Sequence, residues 1–413
     1  MLNSFRITAL VLAALMSPPL GQTMAGDWPQ IMGPQRNGIT DEEPFSGQWP
    51  GGKPRRVWEV TVGSGFAGVA VSGQTAVLFH REGASDKLSA FATQSGTLLW
   101  STSFPSTFRA EIVDDDGPRA VPTIQDGAVY AYSAQGGLYC VDLKGGQKRW
   151  ERQTHQDFRA AGGYFGAGSA PLVERDLVIV NVGGDRMGAG VVAFHTASGE
   201  TAWKAVNDQA SYSAPIAATI DGVRHLLCIT RMNFVSLDPE TGEERFRTPF
   251  GQRGPTVTGA LPVISGKHAL LTASYGIGAE WLEIGAKKID IDWSDEILSS
   301  QYTTPILHDG ACYGINGRQD GGAVSLKCFD PHTRQEFWSR AGLKYATLIC
   351  ADGKLLIMQT DGVLKIARLA KSGYEELAST VLLPGTTRAL PALAHGQFYV
   401  RNEKTLLCVD LKK

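Results

Sequence analysis

Charge is scarce in this chain. Asp, Glu, Lys and Arg make up only 19% of its 413 residues, and the net charge is −2. No basic surplus stands ready to neutralise phosphates, which argues against nucleic acid or an anionic membrane surface as partner. Cysteine is scarce too. There are six, the first is Cys140, and no two are adjacent. With no Cys near the leader, a lipid anchor on a processed N-terminal Cys is not expected. No apolar run beyond the leader reaches the roughly 18 residues of a membrane span. Catalytic and metal signatures are also missing: there is no HxH, HExxH or C-x-x-C-H. The eight His are scattered, and Ser169 begins a strand instead of opening a helix, so it is no nucleophile elbow.

Glycine and apolar residues fill the place left by charge, with 48 Gly and 43% hydrophobic residues. That composition suits a large all-β protein with many turns. Residues 1–25 read as a secretory signal. Arg6 is the basic region, Ile7 to Met16 the apolar region, and Thr23-Met24-Ala25 the cleavage signal, with the cut after Ala25. The mature protein is expected to be exported, periplasmic or secreted.

A tryptophan recurs with a small residue ten positions upstream: Ala90–Trp100, Cys140–Trp150, Ala193–Trp203 and Cys328–Trp338. Ser236–Phe246 and Ala367–Leu377 hold the same register. Gly96, Gly146, Gly199, Gly242 and Gly373 stand four before the anchor. A repeat at roughly 40 to 53 residues sets the architecture before any local motif does. A second register is a Pro entering the first strand of each repeat: Pro122, Pro171, Pro215, Pro262, Pro305 and Pro391, with Gly68 and Leu348 in the matching places. Pro belongs on an edge strand, and the innermost strand of a propeller blade is one.

Eight copies predict an eight-bladed β-propeller over residues 55–413. Its last repeat ends at a third strand, TLLCVDLKK, and RRVWEV at 55–60 supplies the fourth, closing the ring through both chain ends. Residues 26–54 are predicted to be a Pro/Gly-rich arm lying on the propeller and not a strand element. Blade five is the least regular, with Glu283 in the small slot before Trp293. Cys140, Cys328 and Cys408 share the slot that holds Ala or Ser elsewhere, and Cys228, Cys312 and Cys350 sit inside apolar strands, so the cysteines read as mostly free, buried thiols and not as a disulfide framework.

The pattern of apolar strand, small residue, Asp, Gly turn and Trp, best seen in Cys140-Val141-Asp142…Gly146…Trp150, resembles the PQQ-binding-like β-propeller repeat. Trp28-Pro29-Gln30…Gly33-Pro34…Arg36-Asn37-Gly38 is similar to a leader of its exported members. One branch of that family comprises quinoprotein alcohol dehydrogenases. That branch implies pyrroloquinoline quinone (PQQ) and calcium, held beside a vicinal disulfide that this chain cannot make. The other branch resembles the propeller subunit of the outer-membrane protein assembly machinery, a lipoprotein scaffold.

The Pro register also locates a candidate site. The residue three before it sits at the channel mouth in every blade: Gly65, Arg119, Gly168, Tyr212, Gly259, Tyr302, Tyr345 and Arg388. Guanidinium forks suit carboxylate or phosphate, and Tyr offers stacking plus a hydroxyl. Alternatively, these side chains stack on each other and plug the funnel. His155, in a long mouth loop with Asp157, is the one histidine singled out. Asp114, Asp115 and Asp116 with Gly117 form a weak candidate metal loop, against internal pairing with Arg109 and Arg119. The expectation is a monomeric propeller acting as a ligand-binding or protein-interaction scaffold at its mouth. A PQQ-dependent alcohol dehydrogenase and a carbohydrate or polyanion binder are the alternatives. No cofactor is assigned from the residues themselves.

Overall fold

Short apolar runs joined by tight turns pair most readily with their neighbours in sequence, and most strands of the chain do so. The computed structural model describes residues 26–40, 45–112 and 114–412. The predicted signal segment lies outside them. Eight sheets follow one another round a ring, seven antiparallel with four strands and one with five, its fifth strand added in parallel. In blade two the strands run Thr123–Gln125, Ala128–Tyr132, Gly137–Asp142 and Lys148–Gln153, from the channel outward. Asp-Gly turns join the first two strands of several blades. Asp126–Gly127, Asp221–Gly222, Asp309–Gly310 and Asp352–Gly353 all have positive φ at both residues, as the two-residue hairpin requires.

The ring closes as the sequence predicts. Arg55–Thr61 pairs antiparallel with Thr405–Asp410 and completes blade eight, with Trp58 opposite Cys408. The proline register marks where each inner strand begins, since Pro has no N–H for the ladder. Inner strands start at Thr123, Leu172, Ile216, Val263, Ile306 and Ala392, each one residue after its Pro. Where Leu348 replaces Pro the strand extends back to Ala346.

The tryptophan register describes contact between blades. Trp100 opposes Ala90 within its own blade, while its indole N–H donates to Leu143 O of the next blade at 2.8 Å. Trp58, Trp150, Trp203, Trp293 and Trp338 make the same bond to Thr93, Thr196, Pro239, Pro331 and Ala370. Each of Gly96, Gly146, Gly199 and Gly242 lies against the ring of the preceding blade's Trp. Gly373 does not follow them: nothing lies within 4 Å of the position a Cβ would take. Ala367 pairs with Glu376, so the bulge leaves Leu377 out of the register expected for it.

Blade five corrects a second expectation. Trp293 faces Trp281, not Glu283. Glu283 pairs with His268 across the next strand and meets Lys267 at 2.7 Å on the surface. The slot there is filled by an aromatic stack, with His268 lying flat on Trp281 at 5.0 Å. Cys140, Cys228, Cys312, Cys328 and Cys408 are free buried thiols, and Cys350 is buried as well. Burial pushes the Cys140 thiol up to about 11.

The arm departs from its prediction in one respect. It does lie on the propeller, but it also joins the sheets. Ile39–Thr40 pairs parallel with Cys350 and Ala351 of blade seven, and Trp28 bridges Val71 of blade one. Ile124 N–H donates to Pro29 O in blade two, and His395 N–H to Gly26 O in blade eight. The arm thereby serves the unpaired inner edges from inside the channel. It enters at the inner-hairpin end, where Asp27 accepts from Ser72 Oγ and Gly73 N–H and pairs with His395.

Candidate functional site

The mouth is the opposite end of the channel from the arm's entry. The Arg119 side chain is 7% exposed there, and its bonds are internal. Nε donates to Phe165 O at 2.8 Å, and the two amino groups bond Gly117 O and Asp115 O. The Asp115 carboxylate stands 3.6 Å away. Burial lowers the Arg119 pKa, since desolvation disfavours the charged form. Tyr212 meets the same neighbour: its hydroxyl accepts Phe165 N–H at 3.1 Å, and its ring lies edge-on to Phe165. Gly168 makes room for it, because a Cβ there would sit 3.1 Å from Tyr212 Cδ1.

Across the channel, Tyr345 is buried and its hydroxyl accepts two backbone N–H groups, from Tyr302 at 2.8 Å and Thr303 at 3.0 Å. The Tyr302 ring packs on it with centroids 4.6 Å apart, and Tyr302 OH donates to Gln319 Oε1. Arg388 lies over Phe66 at 5.1 Å, and Arg119 lies over Phe66 at 5.3 Å. Phe66 is therefore shared by two guanidinium groups. Sequence reasoning missed it, though it directly follows the ring member Gly65. The predicted ring thus forms two packed arcs, Arg388–Phe66–Arg119–Phe165–Tyr212 and Tyr302–Tyr345. Stacking takes up most of its polar capacity.

His155 stands off the axis, in a single helical turn at Thr154–Asp157. Its ring covers Gly136 and meets Tyr132 edge-on at 6.4 Å. Burial pushes its pKa down to about 4, so it is neutral at pH 7. Asp157 does not reach it and pairs with Arg152 at 2.9 Å instead. Asp115 takes N–H groups from Gly65 and Gly117, and Asp116 takes Ala110 N–H and Arg109, while Asp114 is exposed. The acidic run braces its own loop. Among the described residues, no three His, Cys, Asp or Glu converge as metal ligands.

Open space on this face lies to one side, over blades three to five. His155, Tyr212, Tyr164 and Arg231 line a pocket of about 50 Å³. Beside it a cleft of about 410 Å³ is lined by Tyr164, Asp185, Asn207, Arg231 and Arg253. Tyr164 is 41% exposed, and Arg231 lies 6.0 Å from its ring. Arg231 also donates to Thr256 O and Gly254 O, while Arg253 is exposed. Asp208 holds the rim from beneath, accepting Thr230 Oγ1 at 2.6 Å and Met232 N–H at 2.9 Å.

The family model described as outer membrane protein assembly factor BamB matches residues 52–159 and 116–340 in two overlapping stretches. The chain belongs to this PQQ-like β-propeller family. Overlapping matches are natural where one blade can align to the next. No curated protein sequence matches. Among solved structures, BamB from Moraxella catarrhalis is 16% identical with a TM-score of 0.64, over 87% of this chain and 100% of that one. The quinohemoprotein alcohol dehydrogenase of Comamonas testosteroni is 13% identical with a TM-score of 0.66, over 94% and 81%. A europium-containing methanol dehydrogenase is 11% identical with a TM-score of 0.68, over 91% and 89%. At these identities the likeness speaks for the fold.

Proposed function

We propose that this protein is an exported scaffold that holds a protein partner on its mouth face, at the cleft over blades three to five. The observation that carries this reading is the division of labour at the mouth. Arg119, Tyr212, Tyr302 and Tyr345 are bonded within the fold, whereas exposed Tyr164 and Arg253 flank an open cleft. Tyr and Arg are among the side chains most often found as anchors in protein interfaces. Kinship with a family described as an assembly factor points the same way.

The dehydrogenase reading fits the residues less well. The quinone branch implies a vicinal disulfide and calcium ligands; this chain has no Cys-Cys pair, and no three His, Cys, Asp or Glu converge among the described residues. The carbohydrate or polyanion reading needs the Arg/Tyr ring, and of that ring Arg119, Tyr212, Tyr302 and Tyr345 are engaged inside the fold.

A photo-crosslinking amino acid placed at Tyr164 or Arg253 tests the scaffold reading in cells. Lys287, 80% exposed in a turn at the other end of the strands, serves as control. The expected result is a discrete protein adduct at the first two positions and none at the control. Tyr164→Ala with Arg253→Glu removes both anchors and should cut adduct capture from a neighbouring mouth position at least tenfold, with melting unchanged. An adduct at Lys287 alone would remove the mouth face from consideration.

A further inference from the structure

Among the described residues, Arg36 is a buried cation with no carboxylate beside it. It is 4% exposed and comes up the channel from the arm. Its amino groups donate to Gln30 Oε1 at 3.2 Å, Pro171 O at 3.1 Å and Ala170 O at 3.2 Å. Its Nε–H finds no acceptor among the described residues, and its second amino group donates one hydrogen there, to Ala170 O. Its titratable neighbour is the Cys228 thiol of blade four, which burial pushes well up and keeps neutral. Burial also pulls Arg36 down to about 9, a measure of how poorly the isolated charge is tolerated there.

The surroundings repeat the pattern. Ser169 precedes Ala170, whose carbonyl Arg36 holds, and Ser213 occupies the same register position in the adjoining blade four. Both are 1% exposed, and neither hydroxyl has a partner among the described residues. Eleven buried polar side-chain atoms lack a partner among those residues. Five of them stand on the channel: Arg36 Nε, Ser169 Oγ, Ser213 Oγ, Thr347 Oγ1 and Arg388 Nε. All five can donate a hydrogen bond. Unpaired groups are rare in folded interiors, and buried donors left open beside a cation mark an acceptor's place.

We propose that the channel between blades three and four binds one small oxyanion, a carboxylate or a phosphate, on the Nε edge of Arg36 and the hydroxyls of Ser169 and Ser213. The guanidinium edge offers two N–H groups in the spacing that an oxyanion accepts bidentately. The bound charge neutralises Arg36 and ties the arm to blades three and four at once. This inference stands apart from the partner proposed at the mouth cleft and does not need it.

Equilibrium dialysis with labelled inorganic phosphate and, separately, labelled acetate tests the site at pH 7. Stoichiometry near one per chain is expected for at least one of them, and the tighter of the two identifies the anion class. Melting should rise by about 3 °C as that anion replaces chloride at constant ionic strength, up to a hundredfold excess over half-saturation. The double variant Ser169→Ala, Ser213→Ala keeps the carbonyl anchors of Arg36. It should melt normally in chloride and bind at least tenfold more weakly. Arg36→Gln should abolish binding, and the serine variant carries the test should Arg36→Gln fail to fold. Absence of stoichiometric binding to the wild type, or undiminished binding by the serine variant, overturns the proposal.

Discussion

The ring of Trp100 lies so close to Gly146 of the next blade that a Cβ on Gly146 would stand 2.5 Å from Trp100 Cε3. Gly146 also has φ +70°, a conformation that costs other residues about 1 kcal/mol. Gly146→Ala should therefore lose about 2–4 kcal/mol, strain and overlap together, in denaturant unfolding. Gly127→Ala separates the two causes. Gly127 has φ +69° but open space round it, so its cost should stay near 1 kcal/mol.

The cysteines should behave as spacers. Five named thiols are free and buried, so native protein should react slowly and denatured, non-reduced protein should release at least five thiols per chain. Cys140→Ala should cost about 1 kcal/mol, because Ala fills the equivalent slot opposite Trp100 and Trp203. Cys140→Leu should cost more, by overpacking against Trp150.

His80 makes the fold sensitive to acid. Gly63 N–H donates to its Nδ1 at 2.9 Å, which fixes the neutral ring with its proton on Nε2 toward Ser89. Protonating Nδ1 would set a donor against a donor. Burial, and secondarily the charge of Arg401, push its pKa down to about 4. The unfolded chain then binds more protons than the native one between roughly pH 6.5 and pH 4. Stability should fall across that window as pH is lowered, by on the order of 3 kcal/mol, and no further from this group below it. Unfolding midpoints measured from pH 7 to 4 check this, and His80→Gln should flatten the slope.

Trp28 fastens the arm. It is 1% exposed, exchanges two backbone hydrogen bonds with Val71, and stacks against Gly33. Trp28→Ala should cost about 3–5 kcal/mol if the arm is integral to the fold. Limited proteolysis should then cut within residues 26–40 at concentrations of protease that spare the wild type.

Much of this architecture is legible in the amino-acid order, because repetition turns weak local signals into strong ones. Pro122 alone says little, but its seven counterparts count the blades, and the prolines among them mark where inner strands begin. Trp293 shows the limit of that method. Spacing assigned it Glu283, whereas the strand pairing gives it Trp281, because blade five lengthens its last turn. The mouth ring shows another limit. Position could place Arg119 and Tyr345 at the channel, but their partners Phe165 and Thr303 come from other blades or from loops with no repeat. Phe66 and Arg36 gave no periodic signal, and their roles arise only where distant segments meet.

The closing sheet has one more consequence, for how the ring bears force. Arg55 stands opposite Asp410, and Thr61 opposite Thr405, so the two chain ends leave the ladder at the same end. A load applied between Lys53 and Leu411 would pull the strands apart one hydrogen bond at a time instead of shearing all of them together. The clasp that holds the circle closed at equilibrium is thus the seam at which tension opens it.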